Sequence, residues 1–222
     1  EPVDRLSIYS GKALEFDGVA DSLVSDCAAI TLGDPFTFSA WINVDNVSGT
    51  KLIATNGLTE NSRYFIVENN DLALLNYKAG YASDVKIKTS TITLTAGVWH
   101  YVVATFDGNS TGALYIDGAL ELSNVICSTP SASTSGTTNI GRNGRTDAYE
   151  HPYAGKMCNF QLWNKAWSAD DVTYAYLNPE KLITENSSVT SGITTSDLKL
   201  WLPMNDTGIT NPQTVVFDAA GT

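Results

Sequence analysis

Along Phe36-Thr37-Phe38-Ser39-Ala40-Trp41-Ile42, large apolar side chains alternate with small or polar ones. That period of two is the spacing at which a β-strand sends successive residues to opposite faces. Arg63-Tyr64-Phe65-Ile66-Val67 alternates in the same way, and Val85-Lys86-Ile87-Lys88 sets apolar residues against charged ones, as a strand with one face in water should. Further β-rich runs are Ala13–Phe16, Asp71–Lys78, Trp99–Phe106, Leu114–Ile116, Cys158–Trp163 and Lys199–Leu202. Turn signals punctuate them at Asp17-Gly18, Asn69-Asn70, Asp107-Gly108 and Asp117-Gly118. Aspartate and asparagine bond back to nearby amides, and glycine tolerates positive φ. Many short strands at this spacing predict an all-β fold, a two-sheet antiparallel sandwich. The one helical signal begins at Ser168, an N-cap candidate followed by Asp170 and Asp171, and stops before Pro179. Two small, polar stretches, 128–138 and 185–195, read as long loops, the second as a linker candidate.

The chain has 222 residues, within the range of a single β-sandwich. The expected organisation is one domain over 1–222, with its core at 13–178; residues 179–222 form an extension or a strand completing the sandwich. The formal net charge of -11 disfavours phosphate backbones and anionic lipid, so neither nucleic acid nor a membrane surface is an expected partner. No apolar run is long enough to span a bilayer. Glu1-Pro2-Val3-Asp4 shows no signal-peptide pattern, which fits a removed signal, a fragment or a chain that never carried one. Cys27, Cys127 and Cys158 match no zinc spacing. One disulfide plus a free thiol and three buried thiols both fit; the apolar neighbours of each cysteine favour buried thiols.

Five segments, in order, resemble the laminin-G-like jelly-roll group of the concanavalin-A-like lectin/glucanase superfamily. They are ALEFDGVADSLVS at 13–25, DPFTFSAWINV at 34–44, GVWHYVVATFDG with GALYIDGAL at 97–120, TNIGRN at 138–143 and YAGKMCNFQLWNKAWSADDV at 153–172. None is specific alone; the ordered set is. The resemblance implies a jelly-roll sandwich and a core-strand role for His100. The tail, LKLWLPMNDTG to VVFDAAGT, looks like the segment that opens such a domain, supplying a missing strand or beginning a next unit. Tandem units of this kind are found in phage structural and fibre proteins and in bacterial surface proteins.

Glucanases of this fold carry carboxylates alternating along one strand, where they serve as acid and nucleophile. Here Glu60, Glu68, Glu121, Glu150, Glu180 and Glu185 are isolated in sequence, and no G-x-S-x-G elbow is present. Catalysis is therefore not expected. Family members hold one structural Ca2+ between the FDG segment and a late strand reading G-x-I-D-D. In this chain that strand reads Gly155-Lys156-Met157-Cys158-Asn159, so both acids are replaced, and thiol is a poor ligand for a hard cation. Asp17 and Asp21 remain the metal candidates, with turn formation as their alternative role.

Sugars are held by aromatic rings and by planar polar groups. Trp41 lies on the opposite side of its strand from Phe36 and Phe38, where it either stacks a glycan or packs beneath a loop. The segment 142–153 concentrates planar donors, acceptors and rings without apolar rhythm, and rim loops carry function disproportionately. Arg142, Asn143, Arg145, Asp147, Tyr149, His151 and Tyr153 are the expected ligand-binding residues; a solvated hairpin or a subunit interface is the alternative. The expected function is a non-catalytic glycan-binding or adhesion module on a virion or cell surface, or otherwise extracellular. Its expected partners are cell-surface or extracellular glycans, with other virion or surface proteins and a homo-oligomer as further candidates. The competing functions are a ligand-free capsid or fibre decoration module and a carbohydrate-active hydrolase.

Overall fold

The structure, a computed structural model, describes residues 13–25, 30, 33–57, 62–76, 85–125, 137–143, 150–187 and 192–204. The strands, in chain order, are β1 (Leu14–Asp17), β2 (Leu23–Ser25), β3 (Phe36–Val44), β4 (Thr50–Asn56), β5 (Arg63–Glu68), β6 (Asp71–Asn76), β7 (Val85–Lys88), β8 (Trp99–Phe106), β9 (Thr111–Ile116), β10 (Ala119–Val125), β11 (Thr138–Ile140) and β12 (Ala154–Trp163). Helix α1 (Ala169–Leu177) and strand β13 (Leu198–Leu202) follow. They form two antiparallel sheets. One runs β1-β12-β3-β8-β9-β10, with β13 also on β12; the other runs β2-β11-β4-β5-β6-β7. The predicted strands are all present, and β2, β4, β10 and β11 are added to them.

The sheets meet through the apolar half of each alternation. Phe36, Phe38, Ala40, Ile42 and Val44 of β3 point inward, and the Phe38 ring lies parallel to Phe65 of the opposite sheet, centroids 6.0 Å apart. A guanidinium also sits in this core: Arg63 is fully buried, lies 4.6 Å over the Phe36 ring and donates to the Ile30 carbonyl at 2.9 Å. Cation–π contact and a carbonyl acceptor replace part of the lost hydration.

On the other side of β3, Thr37, Ser39 and Trp41 are also buried, because α1 and its flanking segments lie over them. Trp41 is 4% exposed, flanked by Tyr101 and stacked on Tyr176 of α1 at 5.7 Å. It therefore packs beneath the helix and offers no face to a sugar. The helix starts where the sequence indicates. The Ser168 hydroxyl accepts from the Asp171 amide, and the Asp171 carboxylate accepts from the Ser168 amide, a reciprocal capping box.

β12 bends at Asn159, whose φ is +50°, and its register against β3 shifts between Cys158 and Gln161. Such a bulge re-aims side chains. Asn159 becomes the hub of a buried amide network: its Nδ2 donates to Pro179 O at 3.0 Å, while its Oδ1 accepts from Gln161 Nε2 and Trp201 Nε1. Gln161 Oε1 in turn accepts from Trp163 Nε1 at 2.9 Å. The bulge also divides one edge of β12 between two partners. β1 pairs with residues 154–157 and β13 with residues 160–163, end to end. Cys158 is a buried free thiol, pushed up to about 12 by burial; Cys27 and Cys127 lie outside the described residues.

Candidate functional site

The outer face of the six-stranded sheet differs from the face beneath α1. Helix α1 covers the other sheet, with Tyr176 stacked on Trp41 of β3. Pairing places one residue from each strand in a continuous row: Val24, Asn139, Thr55, Tyr64, Leu75 and Lys86. A second row, Leu52, Ile66, Ala73 and Lys88, runs beside it. Leu52, Ile66 and Ala73 form a small apolar floor, separate from the main core, with Tyr64 and Leu75 packed against it.

Charges line the β6–β7 side of this face. Lys86 Nζ lies 2.7 Å from Glu68, and Lys88 Nζ lies 2.9 Å from Asp71 and 3.7 Å from Glu68. The hydrogen bond that Lys88 donates to Asp71 holds its ammonium above the usual lysine range. Glu68 and Asp71 stand opposite each other in the β5–β6 register, a carboxylate pair invisible in the linear sequence because the Asn69-Asn70 turn separates them.

The segment expected to bind ligand enters from the β11 end. Its neck is an extension of the sheet. The Gly141 amide donates to Ile53 O at 3.1 Å, the Leu52 amide to His151 O at 2.8 Å, the Tyr153 amide to Gly141 O at 2.7 Å and the Asn143 amide to Glu150 O at 3.0 Å. Gly141 has φ +81°, and a Cβ there would run into the Phe16 ring. Arg142 closes the neck with an ion pair to Glu150 at 2.9 Å.

The structure thus brings Arg142, Asn143, Glu150 and His151 together at the neck, while Arg145, Asp147 and Tyr149 lie outside the described residues. Tyr153 does not take the role expected of it. Tyr153 is fully buried, edge-on to Phe16 at 5.8 Å, and its hydroxyl donates to Lys156 O; burial drives its phenol far above the ordinary tyrosine range. It is a core residue, because the neck ladder fixes its backbone against Gly141 and turns the ring inward. Asn143 is likewise fully buried, and its Nδ2 donates to the Tyr64 hydroxyl at 3.3 Å. That contact ties the loop to the row on the sheet and adds Tyr64 to the site.

Asn139 Nδ2 in this row and Asn143 Oδ1 at the neck are buried with no protein partner. A buried polar atom left unbonded costs about 1–3 kcal/mol, a cost removed by a bridging water or a ligand hydroxyl.

Asp17 and Asp21 form a turn. Asp17 Oδ1 accepts from the amides of Val19, Ala20 and Asp21, and Asp21 Oδ2 accepts from the Asp17 amide. The Val19 amide, followed by those of Ala20 and Asp21, holds the Asp17 carboxyl below its usual range. Cys158, on the late strand, faces Trp41 in the register and not this turn. Among the described residues no three His, Cys, Asp or Glu side chains gather as a metal site. Calcium takes six to eight oxygens, and two free carboxylate oxygens are a poor fit.

His100 has a structural place: its Nδ1 lies 2.8 Å from Asp117, and its Nε2 accepts from the Thr95 amide at 3.4 Å.

Two facing antiparallel sheets, one outer face sealed by a helix and the other crossed by a loop neck, define a lectin-type jelly roll. The sequence profile of the concanavalin A-like lectin/glucanases superfamily, in its laminin-G form, matches residues 17–173, and the chain belongs to that family. No curated protein matches the chain. Among solved structures, it is similar to a candidate carbohydrate-binding protein from Bacteroides ovatus, at 19% identity and a TM-score of 0.64, over 95% of this chain and 56% of that one. The chain thus spans little more than half of that protein. It is also similar to a carbohydrate-binding module of a Ruminococcus gnavus sialidase, solved with α2,3-sialyllactose, at 10% identity and a TM-score of 0.55, over 74% of this chain and 96% of that one. A third is domain 4 of an extracellular arabinanase from Geobacillus stearothermophilus, solved with arabinotriose, at 13% identity and a TM-score of 0.59, over 73% of this chain and 75% of that one. At these identities the likeness establishes the fold alone. No described helix is long and apolar enough to cross a membrane.

Proposed function

We propose that this domain is a non-catalytic glycan-binding module, working outside the cell or on a cell or virion surface. The observation that carries the reading is the row Asn139–Thr55–Tyr64 beneath the Arg142–Glu150 neck. It sets a half-buried phenol ring beside a buried apolar floor and two buried, unpartnered amide atoms, on the face opposite the one that α1 covers. Stackable rings beside planar donors and acceptors suit a sugar, whose C–H faces are apolar and whose rim is hydroxylated. The carbohydrate ligands of similarly folded modules support the reading. Against catalysis stands the state of the Glu68–Asp71 carboxylate pair, the one found among the described residues of this face. Glu68 and Asp71 are each held by a lysine, whereas a glycosidase needs one carboxyl free to protonate the leaving oxygen.

The deciding experiment is a glycan array probed with the whole chain and with Tyr64→Ala. Binding in the micromolar to millimolar range that the variant loses, with its circular dichroism spectrum unchanged, is the expected result. Binding that Tyr64→Ala leaves intact would move the site elsewhere. Turnover of an oligosaccharide that Glu68→Gln abolishes would make the domain an enzyme.

A further inference from the structure

We infer that the ligand of this face is an uncharged saccharide and not a sialylated, uronic or sulfated one; the inference rests on the glycan-binding reading above. Its ground is the charge state of the face. The three lysine and arginine cations among the described residues of the face are already matched. Lys86 is held by Glu68, Lys88 by Asp71 and Glu68, and Arg142 by Glu150 through both its Nη2 and its Nε. An anionic sugar would have to take one of these cations from its partner, leaving a carboxylate beside the incoming charge. The chain's net charge of -11 adds a repulsive long-range field. The loop sequences that join these strands do not reverse the balance. Between them, 58–61, 77–84 and 144–149 carry Lys78 and Arg145 against Glu60, Asp84 and Asp147.

The groups that remain are neutral. Asn139 Nδ2 is an unpartnered buried donor and Asn143 Oδ1 an unpartnered buried acceptor, one near each end of the Asn139–Thr55–Tyr64 row. A sugar hydroxyl both donates and accepts, so separate hydroxyls along one saccharide can answer the two ends of the row, whereas a carboxylate accepts only and cannot meet the Asn143 acceptor. The specificity is thus written as a set of closed ion pairs around open amides.

The test uses the full chain against arabinotriose and a set of neutral gluco-, galacto-, manno- and xylo-oligosaccharides, beside α2,3-sialyllactose, oligogalacturonate and a sulfated oligosaccharide. Titrations are run at 50 and 500 mM NaCl. The expected result is binding of at least one neutral probe, about tenfold or more tighter than any anionic one. Its Kd should change less than about twofold with salt, since screening acts on charge pairs. Glu150→Gln releases Arg142 and should raise affinity for sialyllactose severalfold relative to that for the neutral probe. If an anionic probe binds tightest, weakens with salt and is lost in Arg142→Ala, the neutral assignment is overturned and the glycan-binding reading stands. If no probe binds the folded chain, the glycan-binding reading itself falls.

Discussion

The two outer faces of this sandwich begin from the same kind of strand and end differently. On the seven-stranded sheet, the side of β3 and β8 away from the core carries Trp41, Tyr101, Val103 and Ser39, and all are buried. Helix α1 supplies Tyr176 to close over Trp41 and Tyr101. On the six-stranded sheet, the corresponding side carries Tyr64, Glu68, Asp71, Lys86 and Lys88, which reach water around a narrow apolar floor. An aromatic residue on the outer side of a strand therefore says little until its cover is known. Trp41, the largest such ring, is structural; the smaller Tyr64 is the one left at the surface.

Truncation should separate the faces most sharply. Trp41→Ala removes a buried indole between two tyrosines and should cost about 3–5 kcal/mol, as large aromatic deletions in cores do. Tyr64→Ala should cost under about 1.5 kcal/mol while abolishing binding. Urea unfolding of both variants checks this, and equal losses would erase the distinction drawn here.

A smaller effect is expected at acid pH. The backbone amides at the Asp17 turn hold its carboxyl below the unfolded value of 3.8. A depressed carboxylate contributes stability that is present above its unfolded pKa and is lost as pH falls through the folded one. The difference in melting temperature between the natural chain and Asp17→Asn should thus be constant from pH 5 to 8 and shrink below about pH 4. A difference that instead widened in acid would show that the charge opposes the turn. Smallest of all is the metal effect. Millimolar calcium should raise the melting temperature by less than about 2 °C, given a shell of only two free oxygens. A rise of several degrees, abolished by Asp21→Ala, would establish a resident ion.

The sequence was informative where one physical rule acted alone. β3, β5 and β7 alternate and were legible, and Val85–Lys88 even announced that one sheet face meets water. β4 was not, because its register slips between Leu52 and Ala54, breaking the period of two into the apolar run Leu52-Ile53-Ala54. β2 and β11 are three residues each, too short for any period to show. At the site, Arg142 and His151 come from the segment expected to bind ligand and lie at its neck. Tyr153 was misjudged because its place follows from hydrogen bonds to Gly141, which no local pattern reveals. Tyr64 and the Glu68–Asp71 pair were missed for a related reason. Their company is set by register across three strands, and the one available signal was the charged side of β7.

The divided edge of β12 has a further consequence. β1 begins at Leu14, opposite Met157, and β13 finishes at Leu202, opposite Phe160, with the Asn159 amide bonded to Pro203 O between them. The described fold therefore opens and closes at one spot on its perimeter, as a bead does on a thread. A unit built this way can be spliced into a host loop with little displacement of the host's own path, since domains with neighbouring ends tolerate insertion and permutation. Joining Met204 to Ala13 by a short glycine-serine bridge and reopening the ring at the Asp107-Gly108 turn should leave the same two sheets in place.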